Sequence, residues 1–227
     1  MQPTSTRLVE PPTASPDIPL AFVQAKNAMA PTLESAADAA IWDRQVPQKV
    51  TDWLEMLAPE ALPEGRFVLN ADQVAACMRE LFLAQGIADG APLAWLAQDA
   101  QTLAHHISDW FEAPQLRLRL EPVFDDACAK MHIDKVIARL ICTYRGPGTE
   151  LGVDGSQRIP ATAVPTGMPI LLKGSLWPSP DAPKLRHRSP PISGTGLTRL
   201  VLVLEACPDE DKIPAYDHAY RSGALAR

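Results

Sequence analysis

No run in this chain approaches the roughly 18 consecutive apolar residues of a membrane-spanning helix, so no span is expected. Residues 1–20 hold five prolines and no apolar stretch, which argues against a secretory leader. Only four cysteines are present, Cys77, Cys128, Cys142 and Cys207, and none forms a CxxC. Their spacing suits no zinc ribbon, so four reduced thiols in a cytoplasmic protein are expected. A Cys128–Cys142 bridge is the weaker alternative. There is no nucleophile elbow, P-loop, dinucleotide fingerprint or HExxH, which disfavours hydrolase, nucleoside-triphosphatase and Rossmann readings. Basic residues are not in excess: 21 Lys and Arg face 27 Asp and Glu, for a net charge of −6. That makes a nucleic-acid partner unlikely by composition, since backbone binding needs a basic footprint. No internal repeat is visible.

Proline, in contrast, is plentiful at 23 residues, and 46% of the chain is hydrophobic. The chain can bury a core, but long helices are confined to a few windows. Four segments follow. Residues 1–20 read as a mobile Pro-rich arm and 208–227 as a C-terminal tail. Residues 21–113 read as a helical region packed on the core. Windows 36–42, 48–57, 72–85 and 93–111 carry its helical patterns, with Asn70 or Asp72 as N-cap of the third. At Pro114 the hydrophobic period changes from 3.6 to 2. QLRLRL at 115–120 alternates strictly, as a half-buried strand does, and 136–144, 169–174 and 199–205 are apolar runs of strand length. Gly- and Pro-rich turns separate them. The expectation is α+β overall, with a mainly β core of sandwich or barrel type at 114–207.

Chemistry concentrates at His132-Ile133-Asp134. On an extended chain residues i and i+2 point the same way, so the imidazole and the carboxylate share a face. They supply two of the three ligands of a 2-His-1-carboxylate triad, which leaves sites open on Fe(II) for a chelating cosubstrate and oxygen. His187, in LRHRSP, is the candidate third ligand. Arg199 opens the RLVLVLE run, where a fixed cation can hold the distal carboxylate of a 2-oxo acid. The competing readings are a hydrogen-bonded core histidine for His132, a turn carboxylate for Asp134 and a structural ion pair for Arg199.

The blocks HID, RLICTYRGPGTE, PILLKG, HRSPP and TRLVLVL together resemble the double-stranded β-helix (jelly-roll) core of Fe(II)/2-oxoglutarate-dependent dioxygenases, over residues 115–206. CTYRGPGTE and HRSP resemble, more narrowly, an uncharacterised bacterial domain family. The wider resemblance implies iron held by His132, Asp134 and His187, and 2-oxoglutarate held by Arg199, with Tyr144 and Lys173 as further cosubstrate contacts. It implies a dioxygenase whose partners are that cosubstrate and a substrate nothing in the sequence specifies. Arg139 is expected on a solvated face, Arg188 opposite the site, residues 151–169 as a lid and Trp177 at the pocket rim. The alternative function is a cupin-like protein without oxygenase activity, holding Zn(II) or another divalent ion for sensing or homeostasis. Arg199 discriminates the two, because metal storage needs no such cation.

Overall fold

A computed structural model describes residues 19–35, 37–153 and 162–207. Most of the expected arm, the C-terminal tail and the middle of the expected lid (154–161) lie outside the described residues. The chain is mixed α+β, with one large sheet. The alternating 115–120 segment extends into β4, Gln115–Val123. The other apolar runs become β5, Ala138–Arg145, β8, Pro169–Lys173, and β10, Arg199–Cys207.

Three strands also form inside or beside the region expected to be helical: β1, Leu20–Val23, β2, Ala39–Trp42, and β3, Gly65–Leu69. They extend the sheet to seven strands in the order β1-β2-β8-β5-β10-β4-β3, antiparallel except for β1 with β2. The Ala-rich 36–42 window reads as helix from local propensity, yet Ala39, Ala40 and Ile41 are fully buried in succession. A strand covered on both faces shows no alternation, and tertiary packing overrides alanine's helix preference.

Both faces of the large sheet are covered, each by its own core. On β10 the residues Leu200, Leu202 and Leu204 join the core beneath the helices. Val201 and Val203 point the other way, into a second core. The second core is closed by a three-stranded sheet, β7-β6-β9, made of β6, Glu150–Val153, β7, Thr162–Ala163, and β9, Leu185–Arg188. Leu151, Val164 and Leu185 of that side meet Ile41, Ile141 and Ile170 of the large sheet.

The helical layer is α1, Met29–Ser35, α2, Gln48–Met56, α3, Val74–Ala84, and α4, Ala91–Phe111. α4 buries Leu93, Leu96, Ala97, Ala100, Leu103, Ala104 and Ile107, a stripe at spacings of three and one that lies on β10 and β4. Pro92 opens it, and Glu112 closes it in a left-handed conformation just before Pro114. Among the described residues no helix is long and apolar enough to cross a membrane. Cys77, Cys128, Cys142 and Cys207 are all free thiols, so the Cys128–Cys142 bridge does not form.

The Gly146-Pro147-Gly148 turn after β5 is packed too tightly for side chains. A Cβ on Gly148 would lie 1.7 Å from the Val164 carbonyl oxygen, and Gly146 has a φ of +75°. Gly148→Ala should therefore lower stability by about 1–3 kcal/mol, the usual cost of overpacking. Urea unfolding beside the wild type checks this, and equal midpoints would show that the turn yields freely.

Candidate metal centre

The centre is assembled by backbone pairing. His132 donates its N–H to the carbonyl of His187 and accepts the N–H of His187 in return, both at 3.0 Å. Directly opposed residues in an antiparallel bridge project to the same side. The two imidazoles therefore meet, with centroids 4.5 Å apart. β9 alternates as well: Leu185 and His187 are buried while Arg186 and Arg188 are not. Arg188 turns away and pairs with Glu150 at 2.6 Å, as the alternation requires.

Asp134 reaches the same point from two residues beyond His132. Its Oδ2 lies 3.0 Å from His187 Nε2 and its Oδ1 lies 3.5 Å from His132 Nε2. Each of the three side chains offers a ligand atom, all within 4.8 Å of one another. Donors bound to one ion at about 2.1 Å and at right angles sit about 3.0 Å apart, so this spacing fits a shared metal. Two further features fit. The His132 Nδ1 lies 2.8 Å from the Lys130 carbonyl oxygen. It acts as donor there, and Nε2 is left with its lone pair toward the centre. Asp134 Oδ2 is buried against His187 Nε2, a contact between two metal-ligating atoms that a shared cation replaces.

Burial alone would push the Asp134 carboxyl up. Hydrogen bonding with His132 and His187, together with the Arg139 charge, wins and holds it well below the ordinary carboxylate range. Arg139 is not on the solvated face expected of it. Its Nη1 contacts Asp134 Oδ1 at 2.5 Å, and its Nε donates to Glu205 Oε1 at 2.6 Å. It shares a β5 face with Ile141 and Thr143, which line the second core. Parity along β5 carries that signal once one residue of the strand is placed.

Arg199 is 1% exposed. Its Nε donates to the Pro147 carbonyl at 2.7 Å, Nη1 to Ser189 Oγ at 2.8 Å and Nη2 to Thr143 Oγ1 at 3.3 Å. All three acceptors are neutral. Burial pushes the guanidinium down to about 10, against opposition from the charges of Glu150 and Glu121. Ser189 lies two residues past His187, so the cation is hydrogen-bonded to the same segment that carries the metal-side histidine.

Tyr144 and Lys173 belong elsewhere. Tyr144 lies on the opposite face of β5 from Thr143, in the core beneath the helices, and its hydroxyl donates to Asp99 Oδ2 at 2.6 Å. Lys173 pairs in register with Ala138, again on the helical side, and its Nζ sits 4.0 Å from Asp38 and over the Trp177 ring. Strand alternation turns both away from the centre. Trp177 packs on Trp110 in that same helical core and forms no rim.

Several solved structures are similar to the chain. A rice dioxygenase for auxin oxidation is 13% identical with a TM-score of 0.46, and the match covers 88% of this chain and 87% of that one. The 2-oxoglutarate complex of Arabidopsis thaliana dioxygenase for auxin oxidation 1 is 11% identical with a TM-score of 0.49, over 87% and 95%. A Pseudomonas putida prolyl-4-hydroxylase is 14% identical with a TM-score of 0.42, over 78% and 96%. No curated protein sequence matches the chain. A family model described as "Protein of unknown function (DUF1826)" matches residues 24–205, most of the sequence, and the chain belongs to that family.

Proposed function

We propose that this chain is an Fe(II)- and 2-oxoglutarate-dependent dioxygenase whose two facing sheets form a double-stranded β-helix. His132, Asp134 and His187 hold the iron, and Arg199 holds the distal carboxylate of the cosubstrate. The observation that carries this reading is the pairing of a three-donor centre with one deeply buried cation that has only neutral partners. A buried guanidinium that is hydrogen-bonded only to neutral acceptors is costly, and a ligand carboxylate reduces that cost.

Iron held by this donor set would supply oxidation of a C–H bond by O2, one oxygen atom going to the substrate and the other to the succinate left when the 2-oxo acid loses CO2. The chain's own part is positional. Lys130 fixes the His132 ring through Nδ1, and the His132–His187 bridge fixes the spacing of the two imidazoles. Thr143, Ser189 and Pro147 hold the Arg199 fork in one orientation. Leu151, Leu185, Val201 and Val203 keep water from the interior between the sheets. Substrate reaches the centre over His132, whose side chain is 35% exposed. A cytoplasmic location accords with the four free thiols.

A second reading rests on the same donors, because two histidines and a carboxylate also suit Zn(II). It is a cupin-like metal-binding protein without oxygenase activity. Calorimetric titration of the Mn(II)-loaded protein with 2-oxoglutarate separates the two. The expected result is one site of micromolar affinity, about −8 kcal/mol. Metal uptake with no 2-oxoglutarate binding at millimolar ligand overturns the dioxygenase reading and leaves the second.

A further inference from the structure

We infer that Arg139 is a positioning residue for the metal centre: it occupies one oxygen of Asp134 and so restricts the carboxylate to ligation through the other. The inference rests on the metal reading above and extends it to the coordination mode. The two oxygens of Asp134 have different surroundings. Oδ1 takes the Arg139 Nη1 contact at 2.5 Å, whereas Oδ2 is buried and faces the His187 Nε2 ligand atom at 3.0 Å. A carboxylate free to rotate can bind a metal through both oxygens. In a facial triad that would consume a position required by a chelating cosubstrate or by oxygen. With Oδ1 engaged by the guanidinium, only Oδ2 is offered.

Arg139 is itself anchored. Its Nε and Nη2 both engage Glu205 Oε1 on β10, and Glu205 Oε2 lies 3.8 Å from Arg117 of β4. The result is a row of alternating charge, Arg117, Glu205, Arg139 and Asp134, across three adjacent strands and ending at the centre. All four side chains are 20% exposed or less, so solvent screens the row only weakly. Such outer partners orient ligands and are usually worth 10–100-fold in metal affinity.

Positioning and simple charge predict opposite signs. A guanidinium beside the centre repels a divalent ion, so if charge were its only effect, removing it would tighten binding. Co(II) alone is the probe, followed by calorimetry and by its visible d–d absorption, with thermal unfolding as the control for fold. Arg139→Gln should weaken Co(II) binding by about 10–100-fold and shift the d–d band as Asp134 changes its mode. Arg139→Lys should recover part of the affinity, since one ammonium can still engage Oδ1. Glu205→Gln, which keeps an acceptor for Arg139, should give the same band shift with a smaller loss of affinity. It carries the test if Arg139→Gln does not fold. An Arg139→Gln protein, or in its place Glu205→Gln, that binds Co(II) as tightly as wild type or tighter with an unchanged spectrum overturns the inference and leaves the metal centre standing. Wild type that takes up no Co(II) removes the metal reading itself, and this inference with it.

Discussion

Asp99→Ala should lower the unfolding free energy by about 3–5 kcal/mol, the range for breaking a buried ion pair from one side. Asp99 projects from α4 into the helical face of the large sheet. Both its oxygens engage Arg44, with Nη2 to Oδ2 at 2.7 Å, and the Tyr144 hydroxyl adds a bond to Oδ2 at 2.6 Å. The two charged side chains are 8% and 9% exposed. Arg44 also donates through Nε to the Gly167 carbonyl at 2.9 Å. One carboxylate thereby ties α4 to β5 and to the turn before β8. Burial opposes the Arg44 charge, yet hydrogen bonding to Asp99 overcomes it and holds the guanidinium above its ordinary range. Alanine strands that cation and leaves a buried phenol without an acceptor. At this chain length about 2–4 °C is lost per kcal/mol, so the melting point should fall by about 6–20 °C. Asp99→Asn keeps an acceptor and should lose less. A loss under about 1 kcal/mol by urea unfolding would mean that Arg44 finds another partner or solvent.

The parts of this molecule that could be read from sequence are those where one residue in two or in three and a half suffices. QLRLRL announces β4 because only alternate residues are buried, and the α4 stripe announces itself in the same way at the helical period. The HxD pair is legible because histidine is scarce, five in the chain, and because i and i+2 share a side on any extended backbone. β2 was not legible, since a strand buried on both faces has no pattern to show. The same difficulty misplaced Tyr144 and Arg139. Both faces of β5 are apolar, Leu140 and Cys142 on one and Ile141 on the other. Nothing local says which face looks toward the metal centre. The three-stranded sheet escaped notice because β6 and β9 have four residues each and β7 two, too short for a period to emerge. His187 was placed through its chemistry, ahead of the strand that carries it.

Arg199 presents the reverse of Asp99, and the comparison yields a sharper test. Both arginines are buried, but Arg44 is hydrogen-bonded to a carboxylate and held above its ordinary range, while Arg199 is hydrogen-bonded only to neutral acceptors and pushed down to about 10. Arg199→Met removes a buried cation and replaces it with an apolar side chain of similar length. The relief of desolvation is offset by the loss of donors to Ser189, Thr143 and Pro147, at about 1–3 kcal/mol for each acceptor left unsatisfied. The two effects oppose each other, so the ligand-free variant should lose less stability than Asp99→Ala. Its Mn(II) uptake should be unchanged, because no metal-side donor is altered. Its 2-oxoglutarate affinity should fall by at least about 30-fold, since a buried charge pair broken from one side costs about 2–5 kcal/mol. Thermal shift gives a second reading. Wild type at a hundred times its dissociation constant gains about 2.7 kcal/mol from ligand, and the variant should gain only a minor part of it. Destabilisation of the ligand-free variant by several kcal/mol would make Arg199 a strut. Unchanged 2-oxoglutarate binding would move the carboxylate site elsewhere. A buried cation whose removal costs little stability and abolishes 2-oxoglutarate binding is kept for the ligand's sake.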